Sequence, residues 1–189
     1  MQSPLLFLLG ASMAVAAPLV SSRQSNACFI VGNTALPAST QGAVDDLAAR
    51  ATCSNSATTL SGVPDVTVGS ATFSNIDFSK SNQTPLEFAL SEFAGATPLA
   101  SSDLQTFKDQ LDVYVATESG IRSVGGNLAI KVPKFFLEFQ VSRIETAQGN
   151  PPTAAGLQVD HLLGKVLNNA KGEDAALLDQ VRALAANIA

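Results

Sequence analysis

Few side chains in this 189-residue sequence could perform acid–base or metal chemistry, and most of those are carboxylates. The single histidine, His161, has no cysteine near it and is not part of an H-E-x-x-H motif, so a zinc site lacks ligands. No G-x-S-x-G motif occurs, and a nucleophile elbow is therefore absent. Gly125 and Gly126 supply too little glycine for a phosphate-binding loop. We expect no cofactor, no metal and no serine-type catalysis.

Paired carboxylates are the remaining catalytic option, because two acids can share the work of a glycoside hydrolase. Such sites normally hold sugars on aromatic platforms, whereas this chain has no tryptophan and one tyrosine. Glu138 stands out among the acids because Leu137 and Phe139 flank it and favour its burial. A carboxylate-dependent hydrolase is thus one alternative, with no catalytic residue assigned. The candidate acids are Glu87, Glu92, Asp112, Glu118, Glu138 and Glu145.

The N-terminal segment predicts secretion. Residues from Leu5 to Val20 carry no charge, but this run is shorter than the roughly 20 residues that span a bilayer. Ala14-Val15-Ala16 fits the small-x-small pattern that precedes a signal-peptidase cut. A membrane anchor is the alternative for this segment, and a pro-segment ending at Arg23 is a further option. The expected divisions are a signal peptide at 1–16, an N-terminal segment at 17–27 and a single secreted domain at 28–189.

The two cysteines, Cys28 and Cys53, are interpreted as a disulfide. A secreted chain with an even number of cysteines most simply pairs them, and their spacing fits neither a C-x-x-C motif nor a zinc site. Closing a loop of about 25 residues would stabilise the fold by about 3 kcal/mol.

Apolar residues at helical spacing predict a mainly α fold of about five amphipathic helices in one compact domain. Ser39 is expected to cap a first helix that Cys53 ends. Thr84-Pro85-Leu86-Glu87 is a complete helix start, and Ser102-Asp103 repeats that signal before a second apolar stripe. Two C-terminal stripes predict an αα-hairpin, with His161 on the polar side of its first helix. The stripe residues are Leu104, Phe107, Leu111, Tyr114, Val159, Leu162, Leu163, Val166, Leu177, Val181 and Leu184.

The N-terminal part of the domain is β-prone. Cys28 to Val31 is a short run of this kind, stopped by Gly32. Residues 54–84 are rich in Ser, Thr, Asn and Gly, and their short alternations predict one or two edge strands. The alternating residues are Val63, Val66, Val68, Ala71 and Phe73.

The segment from Gly120 to Pro152 is apolar and locally basic. Pro133 suits a helix start, and "AQGNPP" is a strong helix stop. We predict a helix from Pro133 to Gln148, with a strand over 135–142 as the alternative. On a helix, the apolar residues cover most of the circumference, and such an element is usually buried between others.

The same segment has a second interpretation as a contact surface. Four of the eleven basic residues lie between Arg122 and Arg143, with Glu138 the only acid among them. A basic, aromatic segment could lie on an anionic membrane or wall surface, although a membrane-surface helix needs a segregated polar face that this one lacks. The residues proposed for surface or apolar-ligand contact are Lys134, Phe135, Phe136 and Phe139. A carrier of a small apolar ligand would hold it among Phe88, Phe93, Phe107, Phe135, Phe136 and Phe139.

Two further features bear on partners. The net charge of −5 argues against an electrostatic grip on nucleic acid. Asn82-Gln83-Thr84 is an N-glycosylation sequon, with Pro85 expected to lower its use.

The chain resembles a group of small secreted proteins of filamentous ascomycete fungi. The resemblance depends on "CFIVGNTALP" and on "ESGIRSVGGNLAIKVPKFFLEFQVSRIETAQGNPPTAAG", and runs with lower specificity through most of the mature chain. It implies an extracellular location and brings no activity, cofactor or site residue with it. We therefore expect a secreted, non-catalytic protein of effector or elicitor type that contacts a host component, the cell wall or an apolar surface, with the carrier and the hydrolase as alternatives.

Overall fold

The computed structural model describes residues 26–188, so the predicted signal peptide and Arg23 lie outside the described residues. Within this range the fold is mainly α, as predicted, with six helices where about five were expected. The helices are α1 (Ala38–Ala48), α2 (Pro85–Glu92), α3 (Leu104–Ser123), α4 (Lys131–Ala147), α5 (Val159–Asn169) and α6 (Ala175–Ala186). The strands are β1 (Thr52–Thr58), β2 (Pro64–Val68) and β3 (Ala71–Thr72). No helix of residues 26–188 is long and apolar enough to cross a membrane.

The strands form one antiparallel sheet in the order β1-β2-β3. Thr52 pairs with Thr67, and Thr67 pairs with Thr72 on its other side. The predicted alternation appears in β2, where Val66 and Val68 are buried against α3. Phe73 lies in a 3-10 turn after β3 instead of in a strand.

The β-prone run at Cys28–Val31 is not a strand, and that expectation was wrong. Ile30 donates to the carbonyl of Ala27 in a turn. The N–H groups of Val31 and Gly32 then donate to Ser123 Oγ at 3.2 and 3.0 Å. The backbone donors that a strand would need are thus taken by the C-terminal end of α3.

The predicted disulfide between Cys28 and Cys53 is confirmed, with a Cα–Cα distance of 6.0 Å. Its place differs from the expectation, because Cys53 lies in β1 and not at a helix end. The bond therefore joins the N-terminal loop to the sheet. Ser39 is inside α1, whose N-cap is Pro37.

Other helix starts follow the sequence signals closely. Thr84 and Glu87 form the predicted capping box around Pro85. Asp103, not Ser102, is the N-cap of α3, and Asp174 caps α6. Helices α5 and α6 pack together as the predicted hairpin.

Helices α3 and α4 form the centre of the domain. Helix α3 contacts α1, β2, β3 and α4, whereas α4 also contacts α2 and α5. Tyr114 of α3 is fully buried between the rings of Phe73 and Phe93, at centroid distances of 5.1 and 5.7 Å. Its hydroxyl donates to the carbonyl of Ile76 at 2.6 Å. The helix predicted from Pro133 to Gln148 is confirmed, although α4 begins two residues earlier, at Lys131, and ends at Ala147; the strand alternative over 135–142 was wrong.

Candidate functional site

The aromatic residues proposed for surface contact separate into two groups on α4. Phe136 and Phe139 are 0% exposed, and their ring centroids lie 6.0 Å apart in the core. Phe135 is only partly buried, and Lys134 beside it retains 14% side-chain exposure. Only the side of α4 that carries Phe135 can meet a partner without disrupting the core.

Three lysines surround the ring of Phe135. Lys134 Nζ lies 3.6 Å from the ring centroid, Lys131 Nζ lies 5.9 Å from it, and Lys165 Nζ of α5 lies 6.0 Å from it. Ammonium groups at such distances are attracted by the negative potential of an aromatic ring. We call Phe135, Lys131, Lys134 and Lys165 together the lysine-ringed face.

A buried carboxylate anchors this face from beneath. Glu118 of α3 retains 7% side-chain exposure and accepts from Arg122 Nε and Nη2 at 2.8 and 2.6 Å. Its other oxygen lies 3.1 Å from Lys134 Nζ. Glu118 therefore ties α3 to α4 and fixes the ammonium group that covers Phe135.

Glu138 is the second acid of this cluster. Burial is the largest influence on it and raises the pKa of its carboxyl group. Lys134 opposes that rise and the negative charge of Glu118 adds to it, while Lys165 and His161 also lower the pKa. The two glutamates thus occupy different environments, one held by two cations and one with its charged form disfavoured.

Helical spacing explains why these side chains meet. On α4, Lys131 lies three and four residues before Lys134 and Phe135, and Glu138 lies four and three residues after them, so all four share one side of the helix. Glu118 and Arg122 are also four apart on α3, and so are His161 and Lys165 on α5. The sequence pattern indicated Lys134, Phe135 and Glu138 as candidates, but not Lys131 or Lys165. A search for a lysine four residues before each phenylalanine of this segment could have found Lys131.

The other candidate acids have separate structural roles. Glu87 completes the capping box of α2, and Glu145 pairs with Lys108 at 2.7 Å. Asp112 forms an ion pair with Arg50, and burial raises the pKa of Asp112. Glu92 is exposed at the end of α2. Only Glu118 and Glu138 are brought to one place.

The phenylalanines proposed to hold an apolar ligand mostly fill the core. Phe88 and Phe93 pack edge to face at 5.8 Å, and Phe107 is 9% exposed. A depression of about 230 Å³ lies at the C-terminal end of α4, and none of the six phenylalanines lines it. A carrier role stays a prediction, and it would require packed rings to separate.

The structure also bears on metal binding and on N-glycosylation. Within residues 26–188, no group of three or more His, Cys, Asp or Glu side chains is arranged to hold a metal ion. His161 is exposed, and Asn82 is exposed before the start of α2. The sequon residue Thr84 is also the N-cap of that helix, where its hydroxyl accepts from Glu87 N at 3.3 Å.

Fold and site together define a mainly helical protein with one disulfide and a basic, aromatic face. The chain belongs to the family described as "Domain of unknown function (DUF7143)", whose model matches residues 30–189. No curated protein and no solved structure matches the chain.

Proposed function

We propose that this protein is a secreted, non-catalytic protein that contacts a negatively charged extracellular partner or surface through the lysine-ringed face. The observation that carries the proposal is the gathering of three ammonium groups within 6.0 Å of the centroid of one partly buried ring. Since all three lie within 6.0 Å of one point, no two can be farther apart than twice that distance, or about 12 Å.

The charge distribution supports this proposal. The whole chain has a net charge of −5, yet this side of α4 and α5 concentrates lysines. The three lysines and Arg122 outnumber Glu118 and Glu138 there, and a local excess of positive charge on a negatively charged protein orients encounter with an anionic surface. Exposed charges are screened over about 8 Å at physiological ionic strength, so binding should weaken as salt rises.

The disulfide supports the extracellular location. Disulfides persist in oxidising compartments and are rare in the cytosol. The Cys28–Cys53 bond and the exposed sequon at Asn82 are both compatible with passage through such a compartment.

The test is retention of the folded protein on anionic and neutral matrices over a series of salt concentrations. A Lys131→Gln/Lys165→Gln variant should lose about tenfold in affinity, because exposed ion pairs contribute about 0.2–1 kcal/mol each and 1.4 kcal/mol is tenfold. A Lys80→Gln/Lys171→Gln variant makes the same change in net charge at two exposed lysines elsewhere and is the control. Absence of salt-sensitive binding, or equal losses in both variants, would refute the proposal.

The pairing of Glu118 and Glu138 favours a carboxylate hydrolase as a second candidate function. Burial raises the pKa of the Glu138 carboxyl group, and an acid that keeps its proton near neutral pH can protonate a leaving group. Here Glu138 would donate the proton, while Glu118 is already held by Arg122 and Lys134. Release of new reducing ends from a sugar polymer by the wild type, and its loss in Glu138→Gln, would establish this activity. No release by the wild type would exclude it for that polymer.

A further inference from the structure

The chemistry of the lysine-ringed face narrows the class of partner, provided that the proposed contact with an anionic partner is correct. Its cations are lysines, whose ammonium groups are point charges without the fork that binds one phosphate or carboxylate in two places. Arg122 is the nearby arginine, and its Nε and Nη2 are engaged by Glu118. Separate point charges suit a polymer with repeated, spaced anionic groups better than one compact anion.

A lipid surface fits this face less well. Insertion of a helix into the interface requires an apolar side that can enter the acyl boundary. The apolar residues of α4 point inwards, since Phe136, Leu137 and Phe139 are all 0% exposed. What remains outside is one partly buried ring with ammonium groups around it, which gives almost no apolar area to insert.

The acids of the cluster indicate a partner with hydroxyl groups. Glu138 lies among the lysines and can accept a hydrogen bond from a hydroxyl when ionised, or donate one when protonated. A partner with densely packed charge would instead be repelled by Glu138 and Glu118. Hydroxyl groups interspersed with well-separated anionic groups satisfy both the lysines and the acids.

We infer that the lysine-ringed face binds an acidic polysaccharide, a sugar chain carrying carboxylate or sulfate groups. The anionic groups pair with Lys131 and Lys165, the hydroxyls bond to Glu138, and the apolar side of a sugar ring contacts the part of Phe135 that Lys134 leaves exposed. Lys134 keeps its ion pair with Glu118 and positions the ring.

The experiment compares five ligands by calorimetry or surface binding with the folded wild-type protein. The ligands are polygalacturonate, its neutral methyl ester, a dextran sulfate with sparse, well-separated sulfate groups, polyglutamate and vesicles of phosphatidylserine with phosphatidylcholine. Polygalacturonate and the ester share a sugar ring and differ in charge, whereas polyglutamate carries carboxylates without sugar. The inference predicts that polygalacturonate or dextran sulfate binds at least about tenfold more tightly than the ester, polyglutamate and vesicles, a difference of about 1.4 kcal/mol.

The two acidic sugars distinguish the source of the negative charge, since tighter binding of one identifies carboxylate or sulfate as the preferred group. Polyglutamate binding as tightly as both acidic sugars overturns the polysaccharide inference and leaves the proposed anionic contact intact. Tighter binding to vesicles also overturns it and points to a membrane partner. Absence of binding to every anionic ligand refutes both proposals together.

Variants locate the binding on the protein. Phe135→Leu keeps an apolar side chain against the core and removes the ring, so it should weaken polysaccharide binding severalfold without changing the melting temperature. Lys131→Gln/Lys165→Gln should weaken polysaccharide binding about tenfold, because it removes two exposed ion pairs. Lys80→Gln/Lys171→Gln should leave it unchanged. Equal binding by all three variants would show that the polysaccharide meets another surface and would overturn the inference.

Discussion

The Phe139→Ala substitution tests whether Phe139 lies on the core side of α4 and not on its binding side. The side chain is 0% exposed and packs against Phe136 at 6.0 Å, with the Arg143 guanidinium 5.6 Å from its ring. Removing a fully buried phenylalanine ring typically costs about 3–5 kcal/mol. Since small domains are stable by about 5–15 kcal/mol in total, the loss would be about a third to a half of a mid-range stability of about 10 kcal/mol.

The assay is equilibrium unfolding in urea together with thermal melting. We expect a lower midpoint with an unchanged slope, because the mutation alters stability and not the surface exposed on unfolding. The melting temperature should fall by about 6–20 °C, from about 2–4 °C per kcal/mol for a domain of this size. Phe135→Ala is the matched control, because it also removes a phenylalanine ring from α4, one turn earlier, at a position where the ring is only partly buried. Its loss should be clearly smaller.

Binding provides the second half of this test. Phe139→Ala protein that remains folded at low temperature should bind an anionic ligand normally, whereas Phe135→Ala should bind it weakly. The reverse result, with Phe139→Ala melting like the wild type and failing to bind, would refute the assignment of Phe139 to the core and of the outer side to recognition.

Five further changes have outcomes set by the structure. Replacing Cys28 and Cys53 together by serine should lower the free energy of unfolding by about 3 kcal/mol, and free thiols found in folded wild-type protein would disprove the bond. Gly120→Ala should destabilise, because its Cβ would lie 2.5 Å from the carbonyl oxygen of Phe29; Gly164→Ala, with nothing within 4 Å, should stabilise α5 by up to about 1 kcal/mol. Glycan-releasing enzyme should lower the mass of a fraction of the protein made through the secretory pathway of a eukaryotic host and leave the mass of Asn82→Gln unchanged, with no mass change in either showing an unused sequon. The raised pKa means that Glu138 binds its proton more tightly in the folded state than in the unfolded state. As pH rises from about 4.3 through the raised pKa, the free energy of unfolding of the wild type should therefore fall relative to that of Glu138→Gln. Denaturant titrations in which the difference between the two proteins does not vary with pH would contradict this.

Local signals predicted the parts of the fold that depend on neighbouring residues. The capping box at Thr84 and Glu87 needs only four residues of chain, and it formed as expected. The run at Cys28–Val31 shows the opposite case, because its β propensity is overridden by Ser123, which is 92 positions from Val31 along the chain. No local pattern contains an acceptor so distant.

The sequence likewise predicted only the part of the candidate site that lies within one segment. The sequence identified Lys134 and Phe135 because they lie together in an unusual basic and aromatic segment. It could not show that Phe139 is buried and Phe135 is partly exposed, because α4 is apolar nearly all round. Only the packing of α2, α3 and α5 determines which ring is covered. Lys165 was missed because its closeness to Phe135 depends on how α5 packs against α4.

Stability alone does not explain why Glu118 forms buried ion pairs. Replacing a buried ion pair by packed apolar residues is often neutral or stabilising by about 1–4 kcal/mol, because the charges no longer lose their hydration. What the carboxylate does provide is a fixed position for Lys134, whose Nζ lies 3.1 Å from Glu118 and 3.6 Å from the centroid of the Phe135 ring. Lys134 in turn holds the Phe135 ring in one place, and fixing the ring in advance reduces the entropy lost when a partner binds. Glu118 therefore connects the central helix α3 to the proposed binding surface, and its burial is better explained by preorganisation than by stability.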